Sequence, residues 1–222
     1  MIERISALNG RWYREDSGPW VPSVTTICDM YPKPELLRWY GQHSSYEAAC
    51  AERDAAGERG TMIHTAIQDL INGETVDVRG WEPRPLKQLQ GFINWWHEKM
   101  PVVHHLERMF VHSGEIGYAG QVDFYGEIDE EMWLIDWKSS AEVYPSHHIQ
   151  TAAYAEAIGD IDRRGVLLLK ANTKKGWQLV ESDRHQYDDY ETFKALHHVF
   201  SHINGDEPKL DQKEPLPEGV TL

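Results

Sequence analysis

Two neighbouring stretches of the chain, residues 117–128 and 131–138, alternate aromatic and β-branched residues with residues of other types. This alternation is typical of β-strands. The acidic residues 129–131 between them are typical of a turn. The pattern therefore predicts an antiparallel β-hairpin.

Strand periodicity places an acid and a lysine together at the end of this hairpin. Alternate side chains of a strand point to the same face, so Asp136 and Lys138 share a face. Asp123, which shares a face with Gln121 and Tyr125 of the first strand, is expected near Asp136 across the pair. Two carboxylates at a partly buried strand end repel each other, unless a cation binds them or one is protonated. A hard divalent ion such as Mg²⁺ or Mn²⁺ fits this position, because it prefers oxygen ligands.

Each of these residues also has a purely structural interpretation. A lone Asp at the end of a strand is often a turn former. Asp136 and Lys138 would otherwise make a surface ion pair of little energetic weight. Only residues of matching chemistry elsewhere in the chain favour a catalytic role over these alternatives.

Apolar residues recur at helical spacing in several other stretches. The clearest stripe, Ile63, Ile67 and Leu70, follows Gly60 and has His64 at its edge. Helical patterns are found at residues 35–40, 44–59, 60–71, 86–100, 145–158 and 187–200, and further strand patterns at 102–113, 166–170 and 176–181. Near the N-terminus, an Asn-Gly pair at residues 9–10 predicts the turn of a small hairpin.

This order of elements predicts an α/β fold in which helices flank a central mixed β-sheet of about five strands. Residues 1–203 are expected to form a single domain, with an N-terminal hairpin and helical elaboration at 1–59 and the core at 60–203. The remaining residues, 204–222, form an acidic, proline-rich tail that is expected to be poorly ordered. A protein partner bound through this tail is an open alternative.

The composition narrows the class of protein. A hydrophobic content of 41% with nine Trp and ten Tyr indicates a globular fold. No apolar run approaches the roughly 18 residues of a membrane span, and no signal or transit peptide is recognisable. The expected location is the cytoplasm, for a bacterial protein or one encoded by a phage in a bacterial host. The expected partners do not include a membrane.

The charge and the cysteines exclude two further classes. A formal net charge of −14 argues against a protein that coats nucleic acid by bulk attraction. It leaves room for an enzyme whose bound metal and local basic groove contact phosphates. Cys28 and Cys50 are the only cysteines, so a four-cysteine zinc or iron–sulfur site is excluded.

Four short motifs occur in a fixed order on a predicted helix, two predicted strands and a further predicted helix. They are Gly60-x-x-x-His64, Gly120-x-x-Asp123, Asp136-x-Lys138 and Gln150-x-x-x-Tyr154. In this order they resemble the motif set of the PD-(D/E)XK nuclease superfamily, and within it the RecB-like exonuclease branch. Residues 22–25 and 135–140 look most like the exonucleases of mitochondrial genome maintenance and their phage relatives. The resemblance covers residues 22 to 154 and implies a restriction-endonuclease-like core.

The resemblance implies a metal centre. Asp123, Asp136, His64 and the backbone carbonyl of Trp137 would bind Mg²⁺ or Mn²⁺. Lys138 would stabilise the charge on the pentacovalent phosphate and orient the attacking water. The structural alternative for His64 is a histidine at the edge of the core, hydrogen-bonded to backbone.

Gln150 and Tyr154 lie one turn apart and are therefore neighbours on one helix face. In the resembled family the corresponding residues line the site and contact DNA or order the catalytic lysine. The structural alternative is a tyrosine packed in the core beside an exposed glutamine.

Other residues depart from the family pattern or stand outside it. Several RecB-like relatives carry a four-cysteine iron–sulfur cluster, which this chain cannot form, so none is expected. Glu107, on the preceding strand, would be a ligand of a second metal or a group behind the first ligands, but an exposed strand glutamate is the favoured interpretation. Basic candidates for phosphate contacts are Arg53, Arg59, Lys174 and Lys175.

The expected function is that of a divalent-metal-dependent deoxyribonuclease, which hydrolyses phosphodiester bonds in replication, recombination or repair. An exonuclease on single-stranded DNA or DNA ends is favoured, with the helices before Gly60 forming a roof over the site. A structure-specific endonuclease with the same site is the first alternative. A catalytically silent nuclease fold that binds DNA or a partner protein is the second.

Overall fold

The chain folds as six helices and eight strands in a computed structural model that describes residues 1–182 and 186–210. The elements in chain order are β1 (Ile2–Ala7), β2 (Gly10–Glu15), β3 (Val21–Pro22), α1 (Val24–Cys28), α2 (Pro34–Gly41), α3 (Tyr46–Ile71), α4 (Pro83–Lys99), β4 (Val102–Ser113), β5 (Gly117–Ile128), β6 (Glu131–Lys138), α5 (Pro145–Ile158), β7 (Arg163–Leu169), β8 (Trp177–Ser182) and α6 (Gln186–Asn204). Within the described residues, no helix combines the length and apolar character needed to cross a bilayer.

Strands β4 to β8 form one five-stranded sheet in sequential order. Neighbouring strands are antiparallel except β6 and β7, which run parallel and are connected through α5. A parallel pair requires such a crossover connection. The predicted α/β class, with a central mixed sheet of five strands flanked by helices, is confirmed.

The two faces of this sheet are covered by different helices. On one face, α3 and α4 pack their Ile67, Phe92 and Trp95 against the sheet. On the other, α1, α5 and α6 form a second cluster, which includes Tyr154 and Phe193. The smaller sheet of β1, β2 and β3 lies against β4 and β5. The central strand β6 is thus buried on both sides.

Helix α3 differs from the sequence prediction, because one 26-residue helix replaces the two predicted at 44–59 and 60–71. A glycine inside a helix costs only about 1 kcal/mol relative to alanine. The packing of Ile63 and Ile67 in the core outweighs that cost at Gly60. A Cβ atom at Gly60 would lie 3.4 Å from the Ser139 Oγ, so this position brings α3 close to the end of β6.

Two predicted turns differ from the structure by one residue, the first in position and the second in length. The first hairpin turns at Leu8 and Asn9, and Gly10 already belongs to β2 with a φ of +118°. The acidic turn consists of Asp129 and Glu130, both with positive φ, which suits a tight two-residue hairpin. The predicted tail begins against the first turn, where the Leu8 amide donates to the Lys209 carbonyl at 2.9 Å. Residues 211–222 lie outside the described residues.

Helix α4 and the β7–β8 turn approach each other through two glycines. A Cβ atom at Gly91 would lie 2.0 Å from the Gly176 carbonyl oxygen, which is far inside van der Waals contact. We therefore expect Gly91→Ala to lower the free energy of unfolding by about 3 kcal/mol, at the upper end of ordinary overpacking. Urea unfolding followed by circular dichroism measures this.

Gly57 provides the matched control for Gly91→Ala, because it also lies inside a helix. A Cβ atom at Gly57 meets no atom within 4 Å outside its own helix. We expect Gly57→Ala to stabilise the protein by about 0.5–1 kcal/mol. Equal effects of the two substitutions would contradict the close approach of α4 to the turn.

Candidate metal centre

Strands β5 and β6 separate at Asp123. Their backbone pairing runs from the turn as far as Phe124 and Ile135. Beyond that pair, the Asp123 Oδ2 accepts a hydrogen bond from the Trp137 amide at 2.7 Å, so a side-chain carboxylate takes the place of a backbone partner. Side-chain alternation is also interrupted here. Val122 and Tyr125 both pack on the α5 side, although strict alternation predicts opposite faces.

Three potential ligand atoms meet at this point. The His64 Nδ1 lies 3.6 Å from the Asp123 Oδ1 and 3.8 Å from the Glu107 Oε1. All three atoms lie within 4.8 Å of one another. The His64 Nε2 lies 3.1 Å from the Trp137 carbonyl oxygen. Because a carbonyl only accepts, Nε2 carries a proton, and Nδ1 is the nitrogen that faces the carboxylates.

The interpretation of Glu107 as an exposed strand glutamate was wrong. Its side chain is only 12% exposed, and its Oε2 accepts a hydrogen bond from the Gln121 amide at 2.8 Å. Its φ of +48° lies in the left-handed region, which costs on the order of 1–2 kcal/mol for a residue with a side chain. Backbone pairing with β5 is also skipped at this residue. The strand is therefore distorted where Glu107 enters the centre.

The Glu107 Oε1 supplies the clearest indication that these residues fit a cation. This oxygen is buried, and no hydrogen bond reaches it from the residues described. A buried carboxylate oxygen without a partner costs free energy. A divalent ion among His64, Glu107 and Asp123 would remove that cost, and imidazole with carboxylate oxygens suits Mn²⁺ or Mg²⁺. The residues present therefore fit a metal ion.

Asp136 lies next to this centre and is held by two neighbours. The Lys138 Nζ lies 2.6 Å from its Oδ2, and the Gln150 amide donates to its Oδ1 at 2.9 Å. Gln150 also donates to the Tyr154 hydroxyl at 2.9 Å. Gln150 and Tyr154 are 8% and 3% exposed, so their contacts fit the ordering of Asp136 better than contact with DNA.

The structure thus brings all the predicted site residues to one end of β6. Asp136 and the Trp137 carbonyl are engaged with Lys138 and His64 respectively, and their roles as metal ligands stay predictions. The group within ligand distance contains Glu107 instead of Asp136. The contact between Lys138 and Asp136 is largely buried, unlike the surface ion pair of the structural alternative.

Burial and neighbouring charges of opposite sign shift the pKa values of this cluster in opposite directions. Burial, together with the charge of Asp123, raises the pKa of Asp136 to about 6, although Lys138 opposes the rise. Burial also disfavours the charged forms of Asp123 and Lys138, but their charged neighbours prevail. The charge of His64 keeps the pKa of Asp123 below its usual value, and Asp136 keeps the pKa of Lys138 above its own. Above pH 6 the cluster therefore carries charges of both signs.

The comparisons with known proteins add little to this geometry. No protein-family profile matches the chain, and no curated protein matches it either. Among solved structures, the crystal structure of SSO0001 is similar over 83% of this chain and 77% of its own. The two sequences are 11% identical, and the TM-score is 0.43.

The charge of His64 predicts how the metal-free protein responds to pH. Burial lowers the pKa of His64, but the charge of Asp123 and the approach of the Asp123 and Glu107 carboxylates outweigh it and raise the pKa to about 10. In the unfolded chain the pKa returns to about 6.5. The stabilisation is therefore complete below pH 6.5 and is lost as the pH rises to 10. We expect the unfolding midpoint in EDTA to fall over this range.

The variant His64→Asn is expected to flatten this pH dependence, because Asn does not titrate. Thermal unfolding at a series of pH values measures the slope. The exposed His202, changed to Asn, is the matched control and should leave the slope as it is in the unchanged protein. Identical slopes for the two variants would show that His64 is not paired with the acids.

Proposed function

We propose that this protein is a divalent-metal-dependent nuclease that hydrolyses phosphodiester bonds in DNA, as an exonuclease on single strands or on DNA ends. The observation that carries the proposal is the meeting of His64, Glu107 and Asp123 beside the buried pair of Asp136 and Lys138. A surface-binding module has no need for such a buried and costly set of charges. The four ordered sequence motifs support the same conclusion.

Each residue of the centre has a role in this proposal. His64, Glu107 and Asp123 hold the ion, with Asp136 and the Trp137 carbonyl as further candidates. A bound Mg²⁺ or Mn²⁺ would act as a Lewis acid on the phosphate and lower the pKa of water at the site.

Lys138 supplies the positive charge for the transition state. Its ammonium group stays protonated, since Asp136 and Asp123 raise its pKa. It can therefore donate hydrogen bonds to phosphate oxygens as negative charge develops on them. Asp136 fixes the position of the ammonium group, and Gln150 in turn fixes Asp136.

The exonuclease assignment rests on residues 29–59. This segment connects the end of α1 to the part of α3 that carries His64. Burial and the charge of Asp29 raise the pKa of the Cys28 thiol at the end of α1, and the charges of Lys138 and Asp136 also act on this pKa. The chain returns along α3 at Gly60 and His64. Between these points α2 buries no residue, and the outer half of α3 buries only Ala49. A largely exposed segment next to the site favours a substrate that enters by a free end.

Digestion of labelled DNA tests both parts of the proposal. Single-stranded, double-stranded and circular single-stranded DNA, each incubated with Mg²⁺, Mn²⁺ or EDTA, are the substrates. We expect metal-dependent loss of the linear single strand and intact circles. Cleavage of circles would instead indicate an endonuclease. No degradation with either metal would contradict the proposal and favour a catalytically silent fold.

A further inference from the structure

A groove opens where β6 ends, on the α4 side of the metal centre. It has a volume of about 480 Å³ and is lined by Ser139 and Ser140, which directly follow Lys138 in the chain. Arg84 and Lys87 of α4 and Lys170 after β7 line its other walls. The groove thus begins at the residues that directly follow Lys138 in the chain and is bordered by three cations.

A second groove of about 350 Å³ continues along α4. Lys87 lines both grooves and joins them, and Lys174 lies in the wall of the second. From Arg84 to Asn94, the helix extends over about 15 Å at about 1.5 Å per residue. At the roughly 3.4 Å per nucleotide of a strand stacked as in duplex DNA, this length covers at most about four nucleotides.

The charges of this groove pair are unusual for an acidic protein. The chain has 36 acidic residues against 22 basic ones, yet neither lining includes a described Asp or Glu. Across the part of the chain that the structure describes, Arg84, Lys87, Lys170 and Lys174 have no side-chain ion-pair partner. Most other cations are paired with acids. Four unpaired cations in an acid-free groove indicate an anionic ligand.

The basic residues that the sequence suggested for phosphate contacts differ in their surroundings. Lys174 lies in the groove wall. Lys175 lies 3.2 Å from the Glu98 carboxylate and 3.5 Å from the centre of the Trp177 ring. Arg53 is paired with Asp54 at 2.7 Å. Arg84, Lys87 and Lys170 were not singled out by the sequence, because no motif marks them.

The floor of the groove is fixed against the strands that carry the site. The buried Gln88 amide donates to the Ser139 carbonyl and to the Leu169 carbonyl, both at 2.9 Å. These two hydrogen bonds attach α4 to the adjacent ends of β6 and β7. The cations of α4 therefore keep a fixed position relative to Lys138.

We propose that these two grooves bind the sugar-phosphate backbone of the DNA strand on one side of the bond being cleaved. The contacts are made by Arg84, Lys87, Lys170 and Lys174. The inference rests on the proposed nuclease function. Lysine and arginine contact phosphates, and hydroxyl and amide side chains such as Ser139, Ser140 and Asn94 add backbone contacts without reading sequence. Specificity for base sequence is not expected here.

Two matched triple variants of the full-length protein test the proposal. The groove variant is Arg84→Gln/Lys87→Gln/Lys174→Gln. The control is Arg4→Gln/Arg11→Gln/Lys209→Gln, whose three residues are also exposed and are not part of the groove lining. The net charge changes equally in both. The probe is a fluorescein-labelled oligothymidylate of about 20 nucleotides, long enough to exceed a typical single-strand site. Fluorescence anisotropy in EDTA, at several salt concentrations, measures binding without turnover.

We expect the groove variant to lose three phosphate contacts. The slope of log K against log salt should then fall in magnitude by about 2, and binding should weaken about 100-fold at about 0.1 M salt if the proteins converge at 1 M. The control should keep the slope of the unchanged protein. Equal slopes and affinities of the two variants would overturn the proposal. Equally strong displacement of the probe by poly-glutamate of matched charge would also overturn it.

Digestion of two substrates separates this inference from the proposed function. In Mn²⁺ we expect the groove variant to cleave a dinucleotide at the rate of the unchanged protein and the long oligonucleotide more slowly. If both substrates are cleaved as in the control, the groove inference fails and the nuclease proposal stands. If no protein cleaves DNA, the nuclease proposal fails, and the anisotropy slopes still decide whether the groove binds the strand.

Discussion

Substitution of Lys138 by methionine is expected to reduce DNA hydrolysis by about 10²–10³-fold, the cost of removing one donor to a developing negative charge. Methionine keeps the length and bulk of the side chain, so the change removes mainly the ammonium group. It also leaves the buried Asp136 without the cation at 2.6 Å, which raises the pKa of Asp136 further. The rate of nucleotide release from end-labelled single-stranded DNA in Mn²⁺ measures the loss.

Lys99→Met is the matched control for Lys138→Met. Lys99 is 30% exposed and pairs with Asp129 at 3.2 Å, while Lys138 is 23% exposed. A surface pair of this kind contributes less than about 1 kcal/mol, so the activity of Lys99→Met should be unchanged. Far-ultraviolet circular dichroism and the thermal midpoint confirm that both variants fold. A folded Lys138→Met protein with full activity would remove this lysine from the mechanism.

Substitution of Asp123 by asparagine is expected to weaken Mn²⁺ binding by about 100-fold or more, because even groups behind the ligands of a metal site contribute 10–100-fold. The Asn amide oxygen can still accept the Trp137 amide hydrogen, so the junction of β5 and β6 is preserved. The charge that faces His64 at 3.6 Å is lost. Isothermal titration calorimetry with MnCl₂ measures the affinity.

Asp162→Asn is the control for Asp123→Asn. It tests whether the change of any aspartate that accepts a backbone N–H of β6 weakens Mn²⁺ binding. The Asp162 Oδ2 accepts the Met132 amide at 2.9 Å, so it also binds a backbone N–H of β6, but at the far end of the strand. We expect Asp162→Asn to bind Mn²⁺ like the unchanged protein. Unchanged Mn²⁺ affinity in Asp123→Asn would place the ion, if one binds, away from His64 and Glu107.

Much of the fold could be predicted from the sequence, because its periodic stretches are long. The central hairpin and the amphipathic helix before β4 follow from patterns of 8 to 17 residues, and the order of the shorter strand patterns around α5 predicts the mixed sheet. The predicted break in α3 was wrong, because a glycine lowers helix propensity by an amount that core packing easily exceeds. Such packing is a property of distant residues and leaves no local signal.

The candidate site could be predicted only in part. Strand periodicity placed Asp123, Asp136 and Lys138 together, and the resemblance of the four ordered motifs added His64. Glu107 was undervalued because its position depends on the pairing register of β4 with β5 and on a positive φ. Local sequence encodes neither of these strongly. The basic groove also depends on distant packing, since α4 meets the turn after β7 through Gly91 and Gly176.

The unbroken course of α3 has a mechanical consequence. The helix is anchored where Ile63 and Ile67 enter the core, and its exposed end at Tyr46 lies about 26 Å away, at about 1.5 Å per residue. His64 lies within about 1.5 Å of that pivot along the axis. A tilt that sweeps the outer end through several ångströms therefore displaces the helix axis at His64 by only a few tenths of an ångström. If the proposed function holds, a strand that displaces the outer end would leave the backbone of His64 beside the carboxylates.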